Sequence, residues 1–246
     1  MHAAGDPARS SITLGTTETR RVLLLAAGRV AEQGAAVVRR VAPTLDFQMV
    51  TPLEDPRQAL LERADAASLV VVGTRGHGPV HRLLLGSVST AVSEYARCPV
   101  AVVRPVPTDA HAGVVVGVDD GATSGAALDT AFELASIEGL PIQVVHSWAE
   151  TDLFIDRLSY EQRLAHADAH ERLLAEAVAG YAEKYPDVAV TRHTPDGNPI
   201  QVLLDLSHVA AVVVVGSRGL TGLEAVLGSV SRDVTARAAC TVVVAR

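Results

Sequence analysis

Along the chain, short unbroken apolar runs alternate with longer stretches in which apolar residues recur every three or four positions. Val114 to Val118 is one such run, bounded by Gly113 and by Asp119-Asp120-Gly121. A run this short, without polar alternation, predicts a strand buried on both faces. From Ser124 to Glu138, Leu128, Ala131, Phe132 and Ala135 share one face, which predicts a helix capped by Ser124 and stopped by Gly139 and Pro141. Ile142 to Val145 predicts the next strand, and a long polar-to-helical stretch runs from Asp156 to Lys184, ended by Pro186. Strands at 188–193 and 211–215 flank a helix near 198–207, followed by a helix from Ser229 to Ala238 and a strand from Thr241 to Ala245. Upstream, the pattern predicts helices over about 18–41, 55–65 and 87–97 and strands over 46–51, 69–73 and 100–104. Strands alternating with helices of this length indicate right-handed βαβ units around a parallel sheet.

The chain also repeats itself. Residues 69–105 and 212–246 align with Gly73 on Gly216 and Gly76 on Gly219, both 143 apart. Gly86-Ser87-Val88-Ser89 then matches Gly228-Ser229-Val230-Ser231, and Cys98 matches Cys240, at 142. The second copy is therefore one residue shorter in between. Upstream, Thr51-Pro52, Pro56 and Gln58 match Thr194-Pro195, Pro199 and Gln201. A period this long defines domain-sized units rather than a solenoid, whose repeats run about 20–50 residues. The expected division is a tail over 1–16, a truncated copy over 17–105, a linker over 106–111 with Pro105 and Pro107 favouring extension, and a complete copy over 112–246. The first copy has no counterpart for the elements at 114–145. Either the duplication has decayed there or the chain starts too late to include them, and Ser11 to Leu14 supplies at most one short strand. Such a copy is expected to serve mainly as a pairing partner that does not hold its fold alone.

Composition narrows the function. The chain has 246 residues, enough for a self-sufficient core. Its 21 basic and 28 acidic residues give a net charge of −7, and aromatics are only 3%. That balance counts against a general nucleic-acid binder, which needs basic stripes and stacking platforms. The apolar runs fall far short of the roughly 20 residues of a membrane span. Arg20-Arg21 before Val22 to Leu25 faintly imitates a signal peptide, but Gly28 and Arg29 break the run and no cleavage site follows, so a cytoplasmic location is expected. Two cysteines provide neither a disulfide framework nor a metal cluster.

In an open parallel sheet, ligands bind beyond the carboxyl ends of the strands. Asp119, His146-Ser147 and Gly216-Ser217-Arg218-Gly219 all follow strands there, and Gly228-Ser229-Val230-Ser231 opens a helix whose free N–H groups favour phosphate. Ser229 and Ser231 can cap that helix or donate to phosphate oxygens. The loop lacks the lysine of a Walker motif and is not the GxGxxG dinucleotide fingerprint. By itself, it also fits a glycine-rich turn with a serine cap.

Gly-x2-Gly-x9-Gly-Ser after an apolar strand and before Cys-Pro-Val is intact in the first copy at Gly73, Gly76, Gly86, Ser87 and Cys98-Pro99-Val100. With Val116-Gly117-Val118-Asp119 and Val144-Val145-His146 in the second copy, it resembles the universal stress protein family over nearly the whole chain. The resemblance implies tandem three-layer α/β/α sandwiches of the adenine-nucleotide alpha-hydrolase-like type, each on a five-stranded parallel sheet. It also implies that the copies pair as an intramolecular dimer through their last strands. By position it assigns adenosine to Asp119 and Ser147. Ribose and phosphates fall to Gly216, Gly219, Gly228, Ser229, Val230 and Ser231, with Arg218 able to add charge.

Two departures bear on this assignment. The second loop has eight residues between Gly219 and Gly228 where the motif has nine, while the first copy has the full loop but no strand bearing the aspartate. One nucleotide site at most, in the second copy, is therefore expected. The ligand would be ATP or a similar adenine nucleotide, and the role regulatory, in a stress response; Asp119-Asp120 could hold Mg²⁺ as paired carboxylates, but the favoured split is one ligand contact and one turn or cap residue. Catalysis is not expected: no GxSxG elbow and no evident base for a slow ATP hydrolase are present. The alternative is an interaction module of the same fold that binds no nucleotide and acts through protein partners. Homodimers of whole chains are compatible with either. His166-x3-His170 has metal-ligand spacing but no HExxH glutamate, and Glu161, Arg163, Glu171 and Arg172 around it read as a solvated face. His77 and His81 read as solvent-facing loop residues, and Cys98 and Cys240 as small core residues.

Overall fold

The computed structural model describes residues 17–74, 85–119, 124–148, 160–217 and 227–246. The chain divides into two compact units, Met1–Ala66 and Ala67–Arg246. In the first, α1 spans Thr17–Val41 and α2 spans Pro56–Ala64. Helix α2 starts at Asp55, whose carboxylate accepts from the Arg57 N–H at 2.9 Å, with Pro56 at the first helical position. The proline loses nothing there because its N–H would have no helical partner.

The second unit holds β1 (Val70–Gly73), α3 (Ser87–Tyr95), β2 (Val100–Val103), β3 (Val114–Gly117), α4 (Ser124–Glu138) and β4 (Ile142–Val145). It continues with α5 (Tyr160–Val178), α6 (Tyr181–Lys184), β5 (Val190–His193), α7 (Pro199–Leu206), β6 (Val212–Gly216), α8 (Ser229–Arg237) and β7 (Thr241–Ala245). Asn198-Pro199 opens α7 as Asp55-Pro56 opens α2: the Asn198 side chain accepts from the Ile200 N–H at 2.9 Å. The duplication thus preserved the capping chemistry with the sequence.

Among the described residues one seven-stranded sheet runs in the order β1-β2-β7-β6-β3-β4-β5. Every pairing is parallel except β2 with β7, which is antiparallel. The second copy therefore carries its own five-stranded parallel sheet, and the first copy adds two strands to it by joining last strand to last strand. On one face α4 and α5 cover Val114, Val116, Val214 and Val243, with Phe132 and Leu174 fully buried between the layers. On the other, α7 and α8 cover Val115, Val213, Val215, Val242 and Val244. The α/β/α layering matches the fold class read from the sequence. Gly113, at φ +64°, admits the tight entry to β3: a Cβ there would lie 2.2 Å from the Pro141 carbonyl oxygen.

Three local expectations change. Residues 46–51 form no strand. Their second-copy counterpart, β5, pairs with β4, and the first copy has no counterpart of β4 among the described residues, so an apolar alternation there has no ladder to join. The stretch from 160 to 184 is two helices, because Gly180 sits at φ +87° between them. Ser124 is the first residue of α4 and turns its hydroxyl back to Asp119 instead of capping the helix. Residues 1–16, 75–84, 120–123, 149–159 and 218–226 lie outside the description. With them lie Ser11 to Leu14, His77, His81, Asp120, Arg218 and Gly219, and the side chain of His166.

Candidate functional site

The β strand order reverses between β3 and β6. From β3 the chain crosses through α4 to β4 on one side, and from β5 it returns through α7 to β6 on the other. Crevices at such switch points form at the carboxyl ends of the strands. Asp119 stands two residues beyond β3, beside Ser217 at the end of β6, since Val116 pairs with Val214 in the parallel ladder. On the other side Gly117 pairs with Val145, which sets Ser147 level with Asp119. The sequence-predicted residues Asp119, Ser147, Gly216 and Gly228 thus gather on one edge of one sheet.

Each is held by specific bonds. The Asp119 N–H donates to Ser124 Oγ at 3.0 Å, while that oxygen lies 2.8 Å from Asp119 Oδ1 and 2.7 Å from its carbonyl oxygen. One hydroxyl proton serves those two acceptors, so Ser124 fixes the carboxylate against the start of α4. Ser147 Oγ donates to the Gly197 carbonyl at 2.7 Å, and Trp148 forms a parallel bridge with Asp196. The loop after β4 is thereby tied to the loop after β5.

The glycine loop has well-defined stems. The Gly228 N–H donates to the Ser217 carbonyl at 3.0 Å, and Ser231 Oγ donates to the Gly216 carbonyl at 2.5 Å. Gly86 and Thr74, and Ser89 and Gly73, make the same two bonds in the first copy at 2.8 and 2.5 Å. Gly86 and Gly228 share a backbone conformation, with φ −66° and ψ 153° against φ −57° and ψ 154°. A deletion able to shift the helix start leaves it in place, because both stems are pinned by backbone and buried-serine bonds outside the variable stretch.

Neither Gly86 nor Gly228 provides a side-chain cap. At α8 the first helical bond closes from the Arg232 N–H to the Gly228 carbonyl at 2.9 Å, so the N–H groups of Ser229, Val230 and Ser231 precede the helical ladder. They form the kind of N-terminus that accepts an anion. The Ser231 hydroxyl is committed to Gly216 and buried, while Ser229 is exposed at the helix mouth. The hydroxyl of Ser229, unlike that of Ser231, is therefore an exposed polar group at this helix start.

Behind Ser147 lies a cluster that the sequence did not single out as a unit. His146 is buried, its Nδ1 3.1 Å from the Val118 carbonyl oxygen and its Nε2 2.9 Å from His170 Nδ1. Nδ1 of His146 must carry a proton to bond a carbonyl, and one proton is shared between its Nε2 and His170 Nδ1. Trp148 stacks on His170 with ring centroids 4.8 Å apart and an interplanar angle of 14°, and its Nε1–H donates to the Thr194 carbonyl at 3.2 Å. His170, expected on a solvated face, instead packs half-buried behind the candidate crevice. The available cue was Trp148, the chain's single tryptophan, three residues past a strand end. Among the described residues no group of three or more histidine, cysteine or acidic side chains gathers as a metal site. Cys98 and Cys240 are both buried and free.

Among the described residues no helix is long and apolar enough to cross a membrane. The model of the universal stress protein family matches residues 3–104 and 113–246. Universal stress protein Rv2005c of Mycobacterium tuberculosis is 35% identical over 231 residues, which cover 92% of this chain and 76% of that protein. Universal stress protein Rv1996 of the same organism is 41% identical over 187 residues, 73% of this chain and 59% of the relative. A universal stress protein structure from Archaeoglobus fulgidus superposes with a TM-score of 0.67 at 20% identity, covering the whole of this chain and 86% of the other. At that identity the superposition speaks for the fold, whereas the family match and the mycobacterial relatives speak for descent. With two family matches in one chain and a doubled glycine-loop motif, this chain belongs to the universal stress protein family.

Proposed function

We propose that the second copy binds an adenine nucleotide, ATP in the first instance, in the crevice between β3 and β6, and that the chain acts as a non-catalytic regulator. The observation that carries this reading is the placement of Asp119 and the uncapped start of α8 at the ends of adjacent parallel strands. A carboxylate there suits ribose hydroxyls, and free helix N–H groups suit phosphates. Asp119, Ser147, Gly216, Gly228, Ser229, Val230 and the Ser231 backbone line this crevice; Arg218 and Gly219 complete the motif. Mg²⁺, if it accompanies the nucleotide, would be met by Asp119 and Asp120. The first copy keeps the α3 helix start but offers no acidic strand end among the described residues, so one nucleotide per chain is expected.

A thermal melt with and without ATP and Mg²⁺, repeated on Asp119→Ala, tests the reading. Ligand at 100 times Kd adds about 2.7 kcal/mol, and about 1 kcal/mol moves Tm by roughly 2–4 °C in a chain of this size. A shift of several degrees that disappears in the variant, with one nucleotide bound per chain by calorimetry and no phosphate released, supports it. No shift would leave the protein-interaction module as the better account.

A further inference from the structure

The two glycine-loop helices, α3 and α8, are copies of one another, yet α8 carries Arg232 in its first turn where α3 has Thr90. A cation at that end opposes the helix dipole, which favours anions there. Two side-chain bonds hold the arginine in place. Its Nη2 donates to the Leu227 carbonyl at 3.2 Å, and its Nε donates to Glu94 Oε1 on α3 at 3.2 Å. Its backbone N–H also closes on the Gly228 carbonyl at 2.9 Å. One residue thus grips both carbonyls at the exit of the second glycine loop and ties them to a carboxylate of the first copy. The Leu227 side chain is buried in the core beneath α7 and α8, which fixes the stem from the other side. The Glu94 side chain is 18% exposed and that of Arg232 49%, so the carboxylate is the more firmly seated end of the pair.

This link runs in one direction. Under the 142-residue repeat Arg232 corresponds to Thr90 and Glu94 to Ala236, and an alanine side chain accepts no hydrogen bond. The second copy therefore returns no equivalent ion pair to the first copy's helix start. We infer that Glu94 is a positioning residue for the phosphate end of the crevice. Through Arg232 it fixes the Leu227–Gly228 stem, and with it the N–H groups of Ser229 and Val230, so that the first copy sets the second copy's affinity for phosphates. The inference rests on reading that crevice as a nucleotide site. Donors held in place before a ligand arrives lose less freedom on binding it. The link also occurs in the copy whose loop is one residue shorter, and it gives the first copy a task besides lengthening the sheet.

Glu94→Ala in the full chain tests it through two readouts. By calorimetry, ATP should bind about two- to fivefold more weakly, the scale of a partly exposed charged contact, while adenosine, which has no phosphate, keeps its affinity. Arg232→Ala should weaken ATP at least as much, and the double variant no more than Arg232→Ala alone, because the two residues act in series. Exchanging the charges, Glu94→Arg with Arg232→Glu, restores an ion pair but not the donor to the Leu227 carbonyl. The melt should then recover and the ATP affinity should not. The second readout needs no nucleotide: amide hydrogen exchange at residues 227–231 should quicken in Glu94→Ala and stay unchanged in α4. Unaltered ATP affinity in Glu94→Ala, equal losses for ATP and adenosine, full recovery of ATP affinity by the charge exchange, or unaltered exchange at 227–231 overturns the inference. A wild type that binds neither ligand, while exchange at 227–231 still responds to Glu94→Ala, retains the link between the copies and overturns its role in affinity together with the nucleotide reading.

Discussion

Ala101 and Val243 face each other across the β2–β7 junction, and each is the other's equivalent under the 142-residue repeat. The internal two-fold of the duplicated chain passes through this pair. Arginines one residue beyond each strand repeat the symmetry. Arg104 Nη2 donates to the Thr235 carbonyl at 2.6 Å and the Ala236 carbonyl at 3.2 Å at the end of α8, and Arg246 Nη2 donates to the Ser93 carbonyl at 2.5 Å on α3. Each copy thus holds the last turn of the other's glycine-loop helix, where carbonyls lack helical partners and the dipole favours a cation.

Arg104→Ala is expected to lower stability by about 2 kcal/mol, because charged hydrogen bonds are worth roughly 1.5–3 kcal/mol and the carbonyls it serves lie in a half-buried junction. The melting temperature should drop by roughly 4–8 °C, with Arg104→Lys recovering part of the loss. A calorimetric scan unchanged by Arg104→Ala would show that the arginine contributes nothing to the junction.

Gly113 and Gly139 share φ +64°, but a Cβ meets the Pro141 carbonyl oxygen at 2.2 Å in the first case and nothing within 4 Å in the second. Gly139→Ala should therefore cost only the left-handed backbone, about 1–2 kcal/mol. Gly113→Ala adds a collision with backbone and should cost about 3 kcal/mol or more. Chemical denaturation of the two variants measures the difference, and equal losses would refute it.

Tyr181 stacks on Phe132 at 4.6 Å and donates to Asp129 Oδ1 at 3.1 Å. Burial first, and then this bond, push its phenol from 10.0 up to about 12. A folded pKa above the unfolded one stabilises fully below pH 10 and is lost as pH rises towards 12. Ultraviolet titration should show one tyrosine ionising late, and Asp129→Asn should bring it earlier. An unmoved titration curve would assign the delay to burial alone.

Burial pushes the Cys240 thiol up to about 11, and Cys98 is 7% exposed. Neither should react with a thiol reagent at neutral pH in the native protein, and both should react in denaturant. Rapid labelling of either one in the native state would point to a redox role.

The strands and most helices were legible because their apolar runs are short, continuous and punctuated by glycine or proline, and because the repeat checked each against a second copy. The fate of 46–51 was not legible: alternation reports a face, whereas a ladder needs a neighbour, and among the described residues the first copy has none for it. Gly180 was overlooked because the helix formers around it read through. At the site, the strand-end positions of Asp119, Ser147 and the glycine loop followed from order alone. The destinations of the Ser124, Ser147 and Ser231 hydroxyls did not, since each is fixed by a backbone group brought near only by folding. His170 misled for the same reason, as charged neighbours on α5 describe the outer face of that helix and His170 lies on the inner one.

The antiparallel joint has a consequence for biosynthesis. β7 lies between β2 and β6 in the middle of the sheet, yet it is the last of the seven strands to leave the ribosome. The first copy's two strands must wait, their valine edge open, while more than half of the chain is still being made, and the second copy's sheet also lacks a strand until that moment. Joining of the two halves is therefore a late event, in which one five-residue segment pairs with a strand of each.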